Sequence, residues 1–234
     1  MKYYDTQKLF YNKYLYKITF YNDLNTLFRT EFQKSGSLSH AREKLDQLTE
    51  SYRNGLNMQL PIYRTWKTID ETNYLDARHI YACLIRAKED YRVRVESWGG
   101  MSVFSNNLSL LEKIRDGLHR NRRIEIHRPA ENMEAVLLNN SNTIISKNPV
   151  CWPLKITMGN NRGNYSGFAN WIHANKDKIK IGDKALHSLE THGYVNGYYF
   201  FIKSEKILNL ISIMIGDNIR RIDRVVYQED IDKY

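Results

Sequence analysis

The sequence predicts an α+β protein in which the order β-α-β-β-α-β is written twice along one chain. Three observations carry this. Short runs rich in Tyr, Ile, Val and Phe alternate with segments whose apolar residues recur at helical spacing. The second half, from Trp152 onwards, reads in that order without interruption. The closing units of the two halves, VFSNNLSLLEKIRDGLHRNRRIEI and FIKSEKILNLISIMIGDNIRRIDRV, each run strand, polar cap, apolar helix and Arg-Arg-Ile-acid strand. Their helix faces match only after a one-residue slip.

In the first half, KYLYKITFY (13–21) has the β-branched and aromatic content of a strand. Asp23 is placed to cap a helix carrying Leu24, Leu27, Phe28 and Phe32, which Gly36 stops. A second helix begins near Ser39, with Ala41, Leu45, Leu48 and Tyr52 on one face and Gly55 at its end. LPIYRTWKTI reads as a short extended segment, and ETNYLDARHIYACLIRAKED as a helix with Tyr74, Tyr81, Leu84, Ile85 and Lys88 on one stripe. YRVRVES alternates Val93 and Val95 against Arg92, Arg94 and Glu96, WGG turns the chain, and MSVFS returns it. Asn106 caps a helix with Leu108, Leu111, Ile114 and Leu118, and RRIEIHR closes the unit as a strand with Ile124 and Ile126 inward. Pro129 opens PAENMEAVLLNN as a helix.

After NNSNTIISKNPV, which has the composition of a linker, WPLKITM is a strand and GNNRGNYSG a loop. FANWIHANKDKIK and DKALHSLE are helical, and GYVNGYYFFIK is a hairpin whose Asn196-Gly197 pair suits a type I′ turn. Ser204 caps a helix with Ile207, Leu208, Leu210, Ile211, Met214 and Ile215, and RRIDRVVYQ is the last strand. The order β-α-β-β-α-β is that of ferredoxin-like domains. The expectation is therefore two of them in tandem: residues 1–140, with a helical insertion near 39–90, and residues 150–234.

A chain of 234 residues buries a core without staples. Cys83 and Cys151 lie far apart and make neither a disulfide framework nor a metal spacing, which suits a reducing cytoplasm. The start, MKYYDTQKLFYNKYLYK, lacks an apolar core for a secretory signal, and ILNLISIMIG is too short to span a bilayer. The formal charge of +9 makes nucleic acid the first candidate partner and an anionic membrane surface the second; the expectation taken forward is nucleic acid and no membrane.

The stretch NGYYFFIK resembles the aromatic box on the third strand of RNA-recognition motifs, matching at Gly197, Tyr198 and Phe200 and departing at Asn196, Tyr199 and Lys203. The first strand offers Lys155 where that platform offers an aromatic. The same stretch also suits a hairpin with aromatics in the core, because both of its faces are aromatic. The closing strands bring Arg120, Arg122, Arg123 and Arg128 in the first half and Arg220, Arg221 and Arg224 in the second, forks suited to phosphate or to protecting a solvated edge. GNNRGNYSG supplies free backbone amides, Arg162 and Tyr165 beside a helix start. It lacks the Gly-Lys-Ser/Thr ending of a nucleotide-hydrolysing loop. DKALHSLE and the following hairpin would alternatively make a recognition helix and wing, with Lys184, His187 and Ser188 facing a groove.

These residues lead to the expectation of a protein that binds single-stranded nucleic acid through basic strands, the Gly/Asn loop with Tyr165, and stacking by Tyr198 and Phe200 or by Tyr199 on the other face. No cofactor, metal site or catalytic group is expected. Two rivals follow from the same features. Tandem ferredoxin-like domains with basic strands resemble the repeat-processing proteins of CRISPR systems. That resemblance implies a metal-independent RNA endonuclease with a catalytic His in its first domain, for which His40 and His127 are the candidates. It also implies a glycine-rich loop before the final strand, where this chain has only Gly216. The other rival is a viral or phage structural or regulatory protein whose basic surface docks an acidic protein.

Overall fold

Lys-Ile-Thr occurs at 17–19 and again at 155–157, each time on the central strand of a five-stranded sheet. A computed structural model describes residues 2–29, 38–62, 65–96, 99–119, 123–160 and 163–233. The chain divides into two compact units, Met1–Glu131 and Asn132–Tyr234. Among the described residues no helix is long and apolar enough to cross a membrane.

The first unit contains β1 (Lys2–Asp5), β2 (Tyr16–Tyr21), α1 (Ser39–Arg53), β3 (Gln59–Ile62), β4 (Thr65–Thr68), α2 (Glu71–Ile85), β5 (Tyr91–Val95), β6 (Gly100–Ser105), α3 (Leu108–Gly117) and β7 (Glu125–Arg128). Its sheet runs β1-β7-β2-β6-β5, with β1 parallel to β7 and the other pairs antiparallel. Ile18, Met101, Val103 and Ile126 are fully buried on one face, and α3 packs against β2 and β6. α1 and α2 lie between β2 and β5 in the chain, separated by the two-stranded hairpin β3–β4.

The second unit contains α4 (Glu131–Asn139), β8 (Thr143–Ser146), β9 (Leu154–Met158), α5 (Ser166–Ala174), β10 (Ile179–Ile181), α6 (Asp183–Glu190), β11 (Tyr199–Ile202), α7 (Glu205–Ile215) and β12 (Ile219–Tyr227). Its sheet runs β10-β11-β9-β12-β8, with β8 parallel to β12 and the rest antiparallel. The order is the same in both sheets: an added outer strand, the closing strand, the first, the third and the second. The second core joins Ile156, Phe200, Ile202 and Leu189 to Phe168 and Ile172 of α5 and Ile207, Ile211 and Ile215 of α7.

Several local expectations give way to tertiary contacts. Asp23 caps no helix: it pairs with Lys67 at 3.0 Å, and a short 3-10 turn, Asn25–Phe28, follows. Phe32 and Gly36 lie outside the described residues. Tyr52 leaves the buried face of α1 and donates its hydroxyl to Glu71 at 2.6 Å, and Ile85 is exposed at the end of α2. The segment 60–69 is not one extended run but most of the hairpin β3–β4. Asn107, not Asn106, caps α3, accepting from the Leu110 N–H at 3.2 Å. Asn106 instead accepts from the Leu15 N–H at 2.8 Å and donates to the Lys13 carbonyl at 3.0 Å.

The apparent linker at 140–150 carries β8, and KIK at the end of the expected α5 is β10. β11 accordingly pairs with β10 and β9, and among the described residues no strand lies directly across the Asn196-Gly197 turn from it. That dipeptide makes a tight turn closed by the Tyr198 N–H on the Val195 carbonyl at 3.0 Å. Gly197 has φ +82° and Asn196 stays at negative φ, so the turn is type II rather than I′.

The register makes a stability prediction. Phe200 is fully buried and its neighbour Tyr199 is 48% exposed. Phe200→Ala will cost about 3–5 kcal/mol and Tyr199→Ala under about 1 kcal/mol, read from urea unfolding midpoints.

Candidate functional site

Two-residue alternation sends Leu154, Ile156 and Met158 of β9 into the helix-covered core and leaves Lys155 and Thr157 on the other face of the second sheet. Direct cross-strand pairing extends that face. Lys180 on β10 stands opposite Phe201 on β11, Phe201 opposite Lys155 on β9, and Lys155 opposite Asp223 on β12. The adjacent row is Tyr199, Thr157 and Arg221. Lys155 Nζ lies 4.0 Å from the centre of the Tyr199 ring, and Tyr199 meets Phe201 edge-on at 5.6 Å. Arg221 donates to Asp223 Oδ2 through Nε at 2.9 Å and Nη2 at 2.7 Å, which neutralises a carboxylate that is otherwise buried.

This geometry corrects the register of the aromatic box. Its apparent matches, Tyr198 and Phe200, belong to the core side: Phe200 is sealed in and Tyr198 packs against the cluster. The mismatched Tyr199 and the neighbouring Phe201 hold the open face. Tyr165 is also buried in the core, where burial raises its hydroxyl pKa, so its ring offers no stacking surface.

The arginines do not form one track. Arg221 lies on the open face. Arg224 pairs with Leu154 on the helix side and donates to Glu205 at 3.0 Å, beside a cavity of about 430 Å³ lined by Val136, Asn139 and Leu208. Arg220 is exposed beside the bulge in β12. Arg123 donates to Glu125 through Nε and Nη2, at 3.1 and 2.8 Å, and Arg128 sits 5.2 Å from the Tyr3 ring. Arg120, Arg122 and Arg162 lie outside the described residues.

The described part of the Gly/Asn loop faces residues 192–196 across a groove of about 610 Å³ lined by Asn160, Gly163, Asn164, His192, Tyr194 and Asn196. Asn164 Oδ1 accepts from the Ser166 N–H at 3.0 Å and its hydroxyl at 2.6 Å, and Asn196 donates to the Tyr194 hydroxyl at 3.0 Å. Tyr194 and the left-handed His192, φ +55°, carry no motif of their own in the sequence and reach the groove through the fold. The neighbouring His192-Gly193 pair was the available signal for a turn there.

In the first sheet the corresponding face carries Arg92, Phe104, Lys17, His127 and Tyr4 in one cross-strand row. Residues 6–15 fold over it. Phe10 meets Phe104 at 5.4 Å and His127 edge-on at 6.2 Å, and Tyr4 stacks on His127 at 4.9 Å. His127 Nε2 is buried without a hydrogen bond, 4.0 Å from Glu125. Burial, with a smaller push from Lys17 and against the pull of Glu125, lowers the imidazole pKa. His40 is exposed on the first turn of α1. Among the described residues, no cluster of three or more His, Cys, Asp or Glu side chains is placed to hold a metal.

Compared with protein-family models, curated proteins and solved structures, the chain finds no match in any of the three.

The enclosure of His127 makes stability pH-dependent. Its folded pKa is depressed, so below about pH 6.5 the unfolded chain takes up the proton first and stability falls with pH. Once pH drops below the folded value, the loss is complete. His127→Gln, measured by urea midpoints between about pH 7 and pH 5, will show a shallower decline than the parent chain.

Proposed function

We propose that the chain is a pair of tandem ferredoxin-like domains and binds single-stranded nucleic acid on the face of its second sheet opposite the core built on α5 and α7. The domain reading is supported by the shared strand order, in which the first and third strands are central and the second and closing strands flank them. An added parallel strand lies outside the closing one in each unit.

The observation that carries the function is the surface of Lys180, Phe201 and Lys155 with Tyr199 and Arg221 in the next row. Three cations stand there against the single carboxylate of Asp223. Aromatic rings between cations are what a single strand requires: ammonium and guanidinium groups follow the phosphates, and rings take unstacked bases. A duplex keeps its base faces stacked inside and cannot use Tyr199 in this way. The overall charge of +9 adds long-range attraction.

The endonuclease reading finds less support, because His127 is enclosed by Tyr4 and Phe10 and His40 is remote from it in the chain.

The test is equilibrium binding of labelled single-stranded RNA, single-stranded DNA and duplex DNA at low and raised salt, with the same mixtures run on a gel. Single strands will bind in preference to duplex, with affinity falling steeply with salt. Tyr199→Ala will weaken binding about tenfold. Lys155→Ala will weaken it for all sequences and reduce the log–log salt slope by about one. No salt-sensitive binding, or capture of an acidic protein with indifference to nucleic acid, would sink the proposal. Cleavage without added metal would replace it with the endonuclease reading.

A further inference from the structure

The first unit shows how its own copy of this face is filled. Its row Arg92–Phe104–Lys17 repeats the row Lys180–Phe201–Lys155 strand for strand: a cation on the second strand, Phe on the third, Lys on the first. Over the first row the connection between β1 and β2 lays the ring of Tyr11. The Arg92 guanidinium lies 3.9 Å from the centre of that ring, and Phe104 meets it edge-on at 5.0 Å. Lys17 Nζ completes the row, 5.8 Å from the Phe104 ring centre. Tyr11 and Asn12 both take left-handed backbone, φ 54° and 57°, a conformation seldom adopted by residues other than glycine. The bend that presents the ring is thus specific rather than a relaxed loop.

The same connection is tied down by Lys13, whose ammonium pairs with Asp90, and by the two Asn106 hydrogen bonds to Lys13 and Leu15. Phe104 is consequently buried.

In the second unit the row is intact and the cover differs. The connection from β8 to β9 spans only 147–153 and places Trp152 beside Lys203, at 5.2 Å. Phe201 is half-buried, Lys180 is exposed, and Tyr199 meets Phe201 from its own strand.

We infer that the slot over Phe201, between Lys180 and Lys155, takes the planar ring of a nucleobase in the place where the first unit holds Tyr11. This rests on the nucleic-acid reading and names the subsite within it. A cation over one face and a ring edge at the side suit any base, because every base presents a π-face. The slot is therefore tolerant of sequence. The first unit satisfies its slot with its own chain and leaves base binding to the second.

The experiment compares a short poly(dT) strand with an abasic backbone of equal length and charge, by fluorescence anisotropy at low salt, on the full chain. The parent protein will bind the intact strand about tenfold more tightly than the abasic one. Phe201→Leu will cut that preference to below about twofold. Lys180→Gln, at an exposed position, will reduce the preference and serves if Phe201→Leu does not fold. Equal binding of both strands by the parent protein would overturn the base slot while leaving the basic-face reading standing. A preference that survives both variants, or is lost only in Tyr199→Ala, would overturn this location. Failure of both strands to bind would overturn the slot and the reading beneath it together.

Discussion

Burying Ile18 and Ile156 at the centres of the two sheets decides where almost everything else on those sheets goes. Both are fully buried, and both sit inside Lys-Ile-Thr on the central strand. The strand period of two leaves no freedom once that isoleucine points into the core: the lysine and threonine beside it must take the other face. Cross-strand pairing then carries the choice outward, to Phe104 and Arg92 in one unit and to Phe201, Lys180 and Asp223 in the other. A one-residue slip would bury two lysines and expose two isoleucines, so the register is held by the core and not by the surface groups it displays.

The two faces built on this common plan meet water differently. The first covers its row with Phe10, Tyr11 and Tyr14 and encloses His127 at the cost of leaving Nε2 without a hydrogen bond. The second balances the buried Asp223 with Arg221 in the same plane and leaves Tyr199 outward under Lys155. A tyrosine ring exposed beside one ammonium group contributes little to folding, about 1 kcal/mol or less.

Much of the fold was legible because it rests on local pattern. The alternation in YRVRV, the apolar stripes of α3 and α7 and the closing strands all stand where periodicity puts them. The losses share a cause. β1, β8 and β10 are three or four residues long, and they become strands by pairing with a neighbour rather than by their own composition. Asn106 and Asn107 are equivalent as caps on paper, and only the chain around Leu15 separates their roles. The Arg-Arg-Ile-acid resemblance aligns Glu125 with Asp223, but register pairs Lys17 with His127 and Lys155 with Asp223, two residues away from that match. The repeat is real in strand order and imperfect in the residues that first suggested it.

The sequence by itself determined the class of the fold, the positions of its principal helices and closing strands, and the wealth of cations and tyrosines available to a surface. These follow from hydrophobic period and charge, which act over a few residues. Tertiary structure alone decided that Tyr199 and Phe201, rather than Tyr198 and Phe200, hold the open face, that Tyr165 belongs to the core, and that the arginines of β12 divide between two sides of the sheet. A run with aromatics at every position has no period from which a face can be read. The choice is made by what packs against it, and here that is Phe168 against Phe200, 5.5 Å apart, within the core built on α5 and α7.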